Sequence, residues 1–451
     1  MSELFEFLTF GKAPLEIIDG DRGKNYPSQG DLLNNGYCLF LNTGNVKKTG
    51  FDFSNCVFIS KEKDSQLRKG KLVRHDCVLT TRGTVGNVSY FGENVKYDNV
   101  RINSGMVILR SDNAKLMPRY LYLFLRSDLF LQQASSFSSG SAQPQLPIRD
   151  INNLEIPLPP LPTQKAITHI LGTIDDKIEL LRQMNETFEA MAKALFQSWF
   201  VDFEPVRKKA EGLPTGLPLE IEELFPRAFE ESELGEIPKG WKVGKLGDYC
   251  LVKGGYAYKS NKFQTEGLNP VIKIKNIKED GSIDLDDVLY VDQTEASKTR
   301  EFWLNDGDVV MAMTGATIGK FALVVNRDNK NNAVLNQRVA VLNPLNQVKS
   351  WYIYSSLIAT DIYDQVVNKG SGSAQPNISS NDIMACKSMN AGSELRAAFN
   401  HFVNPIFSLI LENHKQLYKF SQLRDSLLPK LISGELELTD KTITKILEPA
   451  L

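Results

Sequence analysis

The sequence predicts an α+β protein built as an internal repeat, in which two mixed α/β domains are separated by two long antiparallel coiled-coil helices. The hexapeptide Ser-Gly-Ser-Ala-Gln-Pro occurs at 139–144 and again at 371–376, which is 232 residues later in a chain of 451. In each half, short strand-like segments precede a long helical pattern. Together these observations favour two copies of one domain and a pseudo-twofold arrangement.

The register of the repeat extends beyond the hexapeptide. Asp150-Ile151 falls on Asp382-Ile383, and with a shift of one residue Asn103 falls on Asn336. A repeat of this length is too long for a solenoid, so it predicts a duplicated domain.

Each half begins with about 150 residues whose sequence pattern is typical of β-strands. Its segments are short, rich in β-branched residues and bounded by Gly, Asn and Asp. Examples are 78–81, 105–109, 309–313 and 338–342. One helix is expected to follow in each half, at 118–133 and at 350–367.

A helical seam then follows in each half. Apolar residues alternate at spacings of four and three, a pattern typical of a coiled coil. In the first copy the seam comprises Ile167, Leu171, Ile174, Ile178, Leu181, Asn185, Phe188, Ala192, Leu195 and Trp199. In the second copy it comprises Phe399, Val403, Ile406, Ile410, Asn413, Leu417, Phe420, Arg424, Leu427 and Leu431.

Two asparagines interrupt these seams at related positions. If the helices pair antiparallel, Asn185 lies opposite Asn413, and two paired amides would set the register of the helices. The alternative is that each asparagine faces solvent. Pro405 predicts a kink or a restart in the second helix, because proline removes a backbone hydrogen bond.

These patterns divide the chain into six segments. We expect a first domain at 1–158, a central helix at 159–204, a Pro-rich acidic linker at 205–240, a second domain at 241–390, a C-terminal helix at 391–436 and a tail at 437–451. The density of proline in the linker predicts an extended connector.

The composition is that of an ordinary globular protein, with 42% hydrophobic and 24% charged residues. No apolar run is long enough to span a bilayer, and the first residues are acidic where a signal peptide is basic. The five cysteines form no Cys-x-x-Cys motif, so we expect a reduced, cytoplasmic protein with no membrane partner. A formal net charge of -2 argues against a protein that holds DNA unaided.

No catalytic motif accounts for the chain. The closest match to a phosphate-binding loop, at 315–321, has the wrong spacing, and 404–407 lacks the second proline of an amino-methyltransferase loop. The four histidines form no metal-binding pattern. The sequence therefore predicts no catalytic residue, no metal site and no cofactor bound by this chain.

Three segments resemble the specificity subunit of type I restriction–modification enzymes. They are Leu-Pro-Pro-Leu-Pro-Thr-Gln at 158–164, Leu-Phe-Gln-Ser-Trp-Phe-Val-Asp-Phe-Glu-Pro-Val at 195–206, and Leu-Pro-Lys-Leu-Ile-Ser-Gly-Glu-Leu at 428–436. The resemblance covers essentially the whole chain. It departs at 389–392, where Met-Asn-Ala-Gly replaces the Pro-rich sequence of the first copy.

The resemblance implies a non-catalytic subunit that binds double-stranded DNA, one half of a split site per domain. It also implies partners: two modification subunits that methylate adenine with S-adenosylmethionine, and restriction subunits, translocase–nucleases that use ATP and Mg²⁺. The helices would set the spacer between the half-sites and dock the modification subunits. The host of such a system is prokaryotic.

The resemblance also carries over candidate DNA-binding residues. Amide side chains can bond adenine, arginine can bond guanine, and hydroxyl groups can bond phosphates. In the first domain the candidates are Thr81, Arg82, Thr84, Asn103, Ser141 and Gln143. In the second they are Thr314, Thr317, Asn336, Gln337, Ser373 and Gln375. Because both domains share the Gly-Ser-Ala-Gln-Pro loop, contact with the DNA backbone or a purely structural role is favoured there over base recognition.

Two other functions are compatible with parts of the sequence. A DNA methyltransferase or a fused restriction enzyme would require a cofactor loop, and would bind S-adenosylmethionine as an isolated chain. A coiled-coil scaffold without a DNA role would bind DNA weakly and without sequence preference, even with a modification subunit present.

Overall fold

The structure, a computed structural model, describes residues 5–138, 144–233, 235–279, 281–326, 333–345, 348–370 and 376–447. The chain forms two compact units. The first unit comprises Met1–Ile178 and Phe420–Leu451, and the second comprises Glu179–Lys419. Each long helix therefore contributes one part to each unit.

The first unit contains short strands and short helices. Its strands are Phe7–Thr9, Leu15–Asp19, Cys38–Leu41, Val46–Lys47, Gly50–Phe51, Phe58–Ile59, Cys77–Thr80, Val88–Tyr90, Val100–Ile102, Met106–Ser111 and Glu155–Pro157. Its short α-helices are Lys61–Gln66, Pro118–Leu125, Asp128–Phe137, Ile148–Ile151 and Asp440–Leu447.

The second unit has the corresponding elements. Its strands are Phe229–Ser232, Gly235–Pro238, Lys242–Lys245, Cys250–Gly254, Asn269–Ile272, Leu289–Val291, Val309–Ala312, Phe321–Leu323, Val334–Leu335, Val339–Pro344 and Lys387–Asn390. Its short α-helices are Glu204–Ala210, Leu219–Glu222, Gln293–Lys298, Ser350–Ala359, Ile362–Gly370 and Ser380–Met384.

The sheets of the two units share one topology. In the first unit an antiparallel four-stranded sheet has the order Leu15–Asp19, Met106–Ser111, Cys77–Thr80, Val88–Tyr90. In the second unit the order is Cys250–Gly254, Val339–Pro344, Val309–Ala312, Phe321–Leu323. A three-stranded sheet follows in each unit, and in each its central strand pairs parallel with one neighbour. The duplication in sequence is thus a duplication of topology.

One inner strand of each four-stranded sheet is buried on both faces. Cys77–Thr80 and Val309–Ala312 are buried at every position, which explains why their sequences are continuously apolar rather than alternating. One face of each sheet packs against the helix that begins at Pro118 or at Ser350. The other face packs against the three-stranded sheet.

Two long helices carry the predicted seams. The central helix is Leu161–Phe200, with 40 residues, and the C-terminal helix is Ser393–Ser433, with 41 residues. In the first unit Ile167 and Leu171 share a core with Leu428 and Leu431. In the second unit the end of the central helix packs against the start of the C-terminal helix, and the rings of Phe196 and Phe399 lie 5.4 Å apart.

The two seam asparagines meet inside the second unit. Asn413 Nδ2 donates to Asn185 Oδ1 at 2.8 Å, and Asn185 Nδ2 points to the carbonyl oxygen of Ile410 at 3.5 Å. Both side chains are 5% exposed. This is the pairing that an antiparallel arrangement of the two seams predicts.

Two helix predictions need correction. The C-terminal helix continues through Pro405 without a restart, and Pro405 lies on its exposed face, whereas a kink there stays a prediction. The single helices expected at 118–133 and 350–367 are each two helices. The first break occurs because the Ser127 side chain accepts a hydrogen bond from the backbone of Phe130 and so starts a new helix.

The expected extended connector at 205–240 is folded. Pro205 lies in the first turn of a helix, where its missing N–H costs nothing, and a β-hairpin follows at Phe229–Pro238. Phe225 is buried and meets Trp199 edge to face at 5.2 Å. Proline density was a poor guide here, because the apolar residues between the prolines bury against the second unit.

No helix in the described residues is long and apolar enough to cross a membrane.

Candidate nucleic-acid interface

In the first domain, three loops meet where the strands of the four-stranded sheet end. The backbone N–H and the hydroxyl of Thr81 both donate to the Gly105 carbonyl, at 2.9 and 3.0 Å. The Asn103 side chain accepts from the Gly105 N–H at 2.9 Å and so closes the second loop. Arg82 pairs with Gln145, which joins the end of the hexapeptide segment to the same cluster.

The second domain repeats this construction. Met313 N–H donates to the Arg338 carbonyl at 3.0 Å, and Gly315 N–H donates to Pro376 at 2.9 Å. Thr314 pairs with Asn377, as Arg82 does with Gln145. The sequence-predicted residues Thr314, Thr317, Asn336 and Gln337 are therefore brought together in one cluster, as are Thr81, Arg82, Thr84 and Asn103 in the first domain.

The two clusters differ in which side chains they expose. Arg82 and Thr84 are exposed in the first domain, as are Gln337 and Arg338 in the second. Asn103 and Asn336 are half-buried at equivalent points, where each backbone N–H donates to a strand of the three-stranded sheet. The framework is thus common to both clusters while the chemistry offered to a ligand is not.

Two predicted DNA-binding residues are buried. Thr81 is 4% exposed and Thr314 is 7% exposed. The Thr81 hydroxyl is used to hold the loop of Gly105, and the Thr314 carbonyl accepts from the Thr317 hydroxyl at 3.2 Å. These threonines shape the turn, whereas Arg82, which follows Thr81, is exposed.

Four further predicted residues, Ser141, Gln143, Ser373 and Gln375, lie outside the described residues.

Sequence reasoning missed a glycine in each cluster. A Cβ on Gly20 would lie 2.2 Å from the Asn103 carbonyl oxygen, and one on Gly255 would lie 2.4 Å from that of Asn336. In both domains the loop after the first strand of the four-stranded sheet therefore crosses the asparagine loop at a distance that only glycine permits. Gly20 and Gly255 are 235 residues apart, so a repeat alignment that allowed a shift of three residues from the 232-residue register would have matched them.

The Gly255 crossing makes a testable prediction. Gly255→Ala is expected to lower the free energy of unfolding by about 2–3 kcal/mol, because the clash is with backbone that cannot rotate away. All four tryptophans of the chain lie between 199 and 351, so their fluorescence during urea unfolding reports on the second unit. Gly254→Ala is the matched control, because its nearest atoms lie 4.0 Å away. Equal losses in the two variants would contradict the steric account.

A second pair of equivalent residues braces the neighbouring loops. Asn45 Nδ2 donates to the carbonyls of Asp52 and Asn55, at 2.9 and 3.0 Å. Asn276 Nδ2 donates to the carbonyls of Asp284 and Asp287, at 3.0 and 2.9 Å. Both asparagines are buried, so they act as structural supports beside the clusters.

Seven lysines and arginines lie at 61–82, and three of them, Lys63, Lys71 and Arg74, form ion pairs within the fold. Arg74 donates to the carbonyls of Gly92 and Val95 and pairs with Asp98 at 2.6 Å. Lys71 and Arg101 both pair with the buried Asp64, at 2.8 and 2.6 Å. The exposed basic residues of this segment are Lys61, Arg68, Lys69 and Arg82, and Arg82 belongs to the loop cluster.

Within the part of the chain that the structure describes, no group of three His, Cys, Asp or Glu side chains could hold a metal ion. All five cysteines are free thiols. The clusters offer amide, hydroxyl and guanidinium groups, which bind bases and phosphates by hydrogen bonds.

The fold and the clusters define a class of protein with two related recognition domains built on a shared pair of long helices. The sequence matches the family described as "Type I restriction modification DNA specificity domain" over residues 15–190 and 238–387. The chain belongs to this family, since the two matches together cover more than half of its length.

Curated relatives match along most of the chain. It is 26% identical to the type I restriction enzyme HindI specificity subunit of Haemophilus influenzae, over 92% of this chain and 98% of that protein. It is 27% identical to the MjaIX specificity subunit of Methanocaldococcus jannaschii, over 80% of this chain and 78% of that one. A crystal structure of a type I restriction–modification S subunit from M. genitalium has the same fold, with a TM-score of 0.54, 15% identity and coverage of 96% and 97%.

Proposed function

We propose that this chain is the non-catalytic DNA sequence-specificity subunit of a type I restriction–modification complex. The observation that carries the proposal is the pair of loop clusters, which share a framework and differ in exposed side chains, in a chain of this family. The relatives named above are specificity subunits, and this supports the same role here.

Each domain is proposed to read one half of a bipartite DNA site. The Asn103 and Asn336 positions are common to both domains, so they suit contacts with the sugar–phosphate backbone, which carries no sequence information directly. Arg82 in the first domain and Gln337 in the second are exposed and have no identical counterpart in the other domain. Arginine can bond guanine and glutamine can bond adenine in the major groove, so these residues suit base recognition.

The helix pair is proposed to act as a coiled-coil spacer with a pseudo-twofold axis and as the docking platform for two modification subunits. Helices of about 40 residues extend about 60 Å at 1.5 Å per residue, which exceeds one turn of duplex DNA. Leu180, Met191 and Leu409 are about half exposed on the helices of the second unit, and a docked subunit would cover such apolar side chains.

The chemistry is proposed to belong to the partners. Methyl transfer to adenine with S-adenosylmethionine would take place on the modification subunits, and translocation and cleavage with ATP and Mg²⁺ on the restriction subunits. The role of this chain would be to place them on a chosen sequence. Its slight negative charge suits a subunit whose partners help to hold the DNA.

Domain exchange tests this function. Replacing residues 1–155 with the corresponding domain of another family member, co-expressed with the modification subunits, is expected to change one half of the methylated site and leave the other unchanged. Methylation mapping of the host genome reads both halves and the gap between them. The unchanged chain with the same partners is the control, and a change in both halves, or in neither, would refute the modular assignment.

A further inference from the structure

The surface that holds each domain on the helix pair has a different chemistry in the two units. In the first unit it is ionic. Arg126, at the end of the helix Pro118–Leu125, binds Asp175 of the central helix at 2.7 Å. Arg424 of the C-terminal helix reaches the other oxygen of Asp175 at 3.3 Å. Arg119 binds Asp176 at 2.9 Å.

Most of these charged groups are shielded from solvent. The side chains of Arg126, Arg424 and Asp175 are 18%, 17% and 21% exposed, whereas the Arg119–Asp176 pair is open. Burial alone would lower the pKa of Arg126, but Tyr122 and Asp175 raise it above its ordinary value, so the guanidinium stays charged. Gly172 leaves room for Arg119, whose Nη1 lies 3.2 Å from where a Cβ would be.

In the second unit the same positions are aromatic or aliphatic. In the 232-residue register of the repeat, Trp351 corresponds to Arg119 and Phe407 corresponds to Asp175. The rings of Trp351 and Phe407 stack with their centroids 4.6 Å apart and 6° between their planes. Gly172 becomes Asn404, whose side-chain oxygen accepts from the Trp351 indole N–H at 3.2 Å. The remaining equivalents are also uncharged: Ile358 for Arg126, Ser408 for Asp176 and Ala192 for Arg424.

The charged residues of the first unit are replaced together on three separate elements of the second unit. All three charged groups of the Asp175 cluster are replaced by members of one apolar cluster, which contains Ala192, Phe407 and, at its edge, Ile358. An arginine facing Phe407, or a tryptophan facing Asp175, would leave a shielded charge without its partner, which is strongly unfavourable.

We propose that the helix pair carries two docking surfaces that are not interchangeable. The surface in the first unit accepts a recognition domain that presents two arginines, and the surface in the second unit accepts one that presents tryptophan and an aliphatic residue. A domain moved to the other position would dock only if the matching helix residues moved with it. This inference concerns docking within each unit and does not depend on the proposed function.

Reciprocal substitution in the full chain tests the proposal. The domain-side variant is Arg119→Trp with Arg126→Ile, and the helix-side variant is Gly172→Asn, Asp175→Phe, Asp176→Ser and Arg424→Ala. Each alone is expected to accelerate amide exchange in the helix Pro118–Leu125 by about 10- to 100-fold, because charges lose their partners. The combined variant is expected to return within about threefold of the wild type, as coupled sites do.

A matched control separates docking from a general effect of bulk. Arg149→Trp makes the same change in the first domain at a side chain that is 86% exposed, and should leave exchange in Pro118–Leu125 unchanged. If the effects of the two sets of substitutions simply multiply in the combined variant, the two surfaces are not matched and the proposal fails.

If the variants do not fold, a measurement on the wild-type chain tests whether the two docking surfaces differ. Raising NaCl from about 0.05 to 0.5 M should accelerate exchange in Pro118–Leu125, because salt screens ion pairs, but not in Ser350–Ala359. The second unit does contain an ion pair between Lys415 and Asp306, at 2.6 Å, but it joins a different loop to the C-terminal helix. The same salt response in both helices would overturn the proposal.

Discussion

Arg101→Leu is expected to lower the free energy of unfolding of the first unit by about 3–5 kcal/mol, the largest effect of any substitution considered. The Arg101 side chain is 7% exposed and binds Asp64 at 2.6 Å. Its other nitrogens donate to the carbonyls of Lys69, Asp64 and Leu67, at 2.7, 2.9 and 3.0 Å. Leucine would leave a buried carboxylate and three buried carbonyls without this donor.

The loss is measured by labelling the thiol of Cys38 as a function of urea. Cys38 is fully buried, and burial followed by the nearby Asp64 carboxylate raises the pKa of its thiol to about 12, so Cys38 should be unreactive in the folded protein. Arg149→Leu, at an 86% exposed position, is the control and should change stability by less than about 0.5 kcal/mol. A similar small loss for Arg101→Leu would show that Lys71 and water satisfy the Asp64 carboxylate without Arg101.

The effect of Arg101→Leu should also depend on pH. Burial acts to raise the pKa of the Asp64 carboxyl, but hydrogen bonds from Lys71 and Arg101 lower it below its ordinary value. A lowered pKa stabilises the fold above the unfolded-state value of about 3.9, and this stabilisation is lost as the pH falls through the folded-state pKa. Without Arg101 the carboxyl protonates more easily, so the destabilisation should be smaller at pH 4 than at pH 7.

The second large effect is expected at the paired asparagines. Asn185→Leu leaves the buried Asn413 amide without its acceptor and should cost about 1–3 kcal/mol, and Asn413→Leu should cost a similar amount. The double variant is expected to be at least as stable as the wild type, because two leucines complete an apolar seam. Such non-additivity is expected of a polar pair that lowers the stability of the seam but fixes the register of the two helices.

Tryptophan fluorescence during urea unfolding measures this effect, since Trp199 is buried in the same unit. Gln183→Leu, on the exposed surface of the central helix, is the control for adding an apolar side chain. If the double variant lost the sum of the two single losses, the asparagines would act independently and would not set the register of the helices.

Much of the fold was predictable because its signals are local or repeated. Continuous apolar runs indicated the buried strands, and alternating spacings of four and three indicated the helices. The repeat alone predicts Asn185 opposite Asn413. The residues of the loop clusters came from the family resemblance, and Thr84, Asn103 and their counterparts keep their spacing in both halves.

What was missed depends on contacts between residues distant in sequence. The connector at 205–240 looked extended because proline is a local signal, whereas burial of Phe225 against Trp199 is a tertiary one. Thr81 looked like a ligand-binding hydroxyl, but its position beside Gly105 turns it inward. The Arg101–Asp64 pair spans 37 residues and has no periodic signature.

The sequence by itself determined that the protein is a duplication, since two copies of one pattern fold into one topology wherever they occur in the chain. Only the tertiary structure decided how the copies differ in the contacts that their side chains make. The same positions hold Arg126 and Asp175 in one unit and Ile358 and Phe407 in the other, and the loops expose Arg82 in one cluster and Gln337 in the other. Topology follows from local patterns of apolar residues, whereas docking and recognition depend on which side chains meet in space.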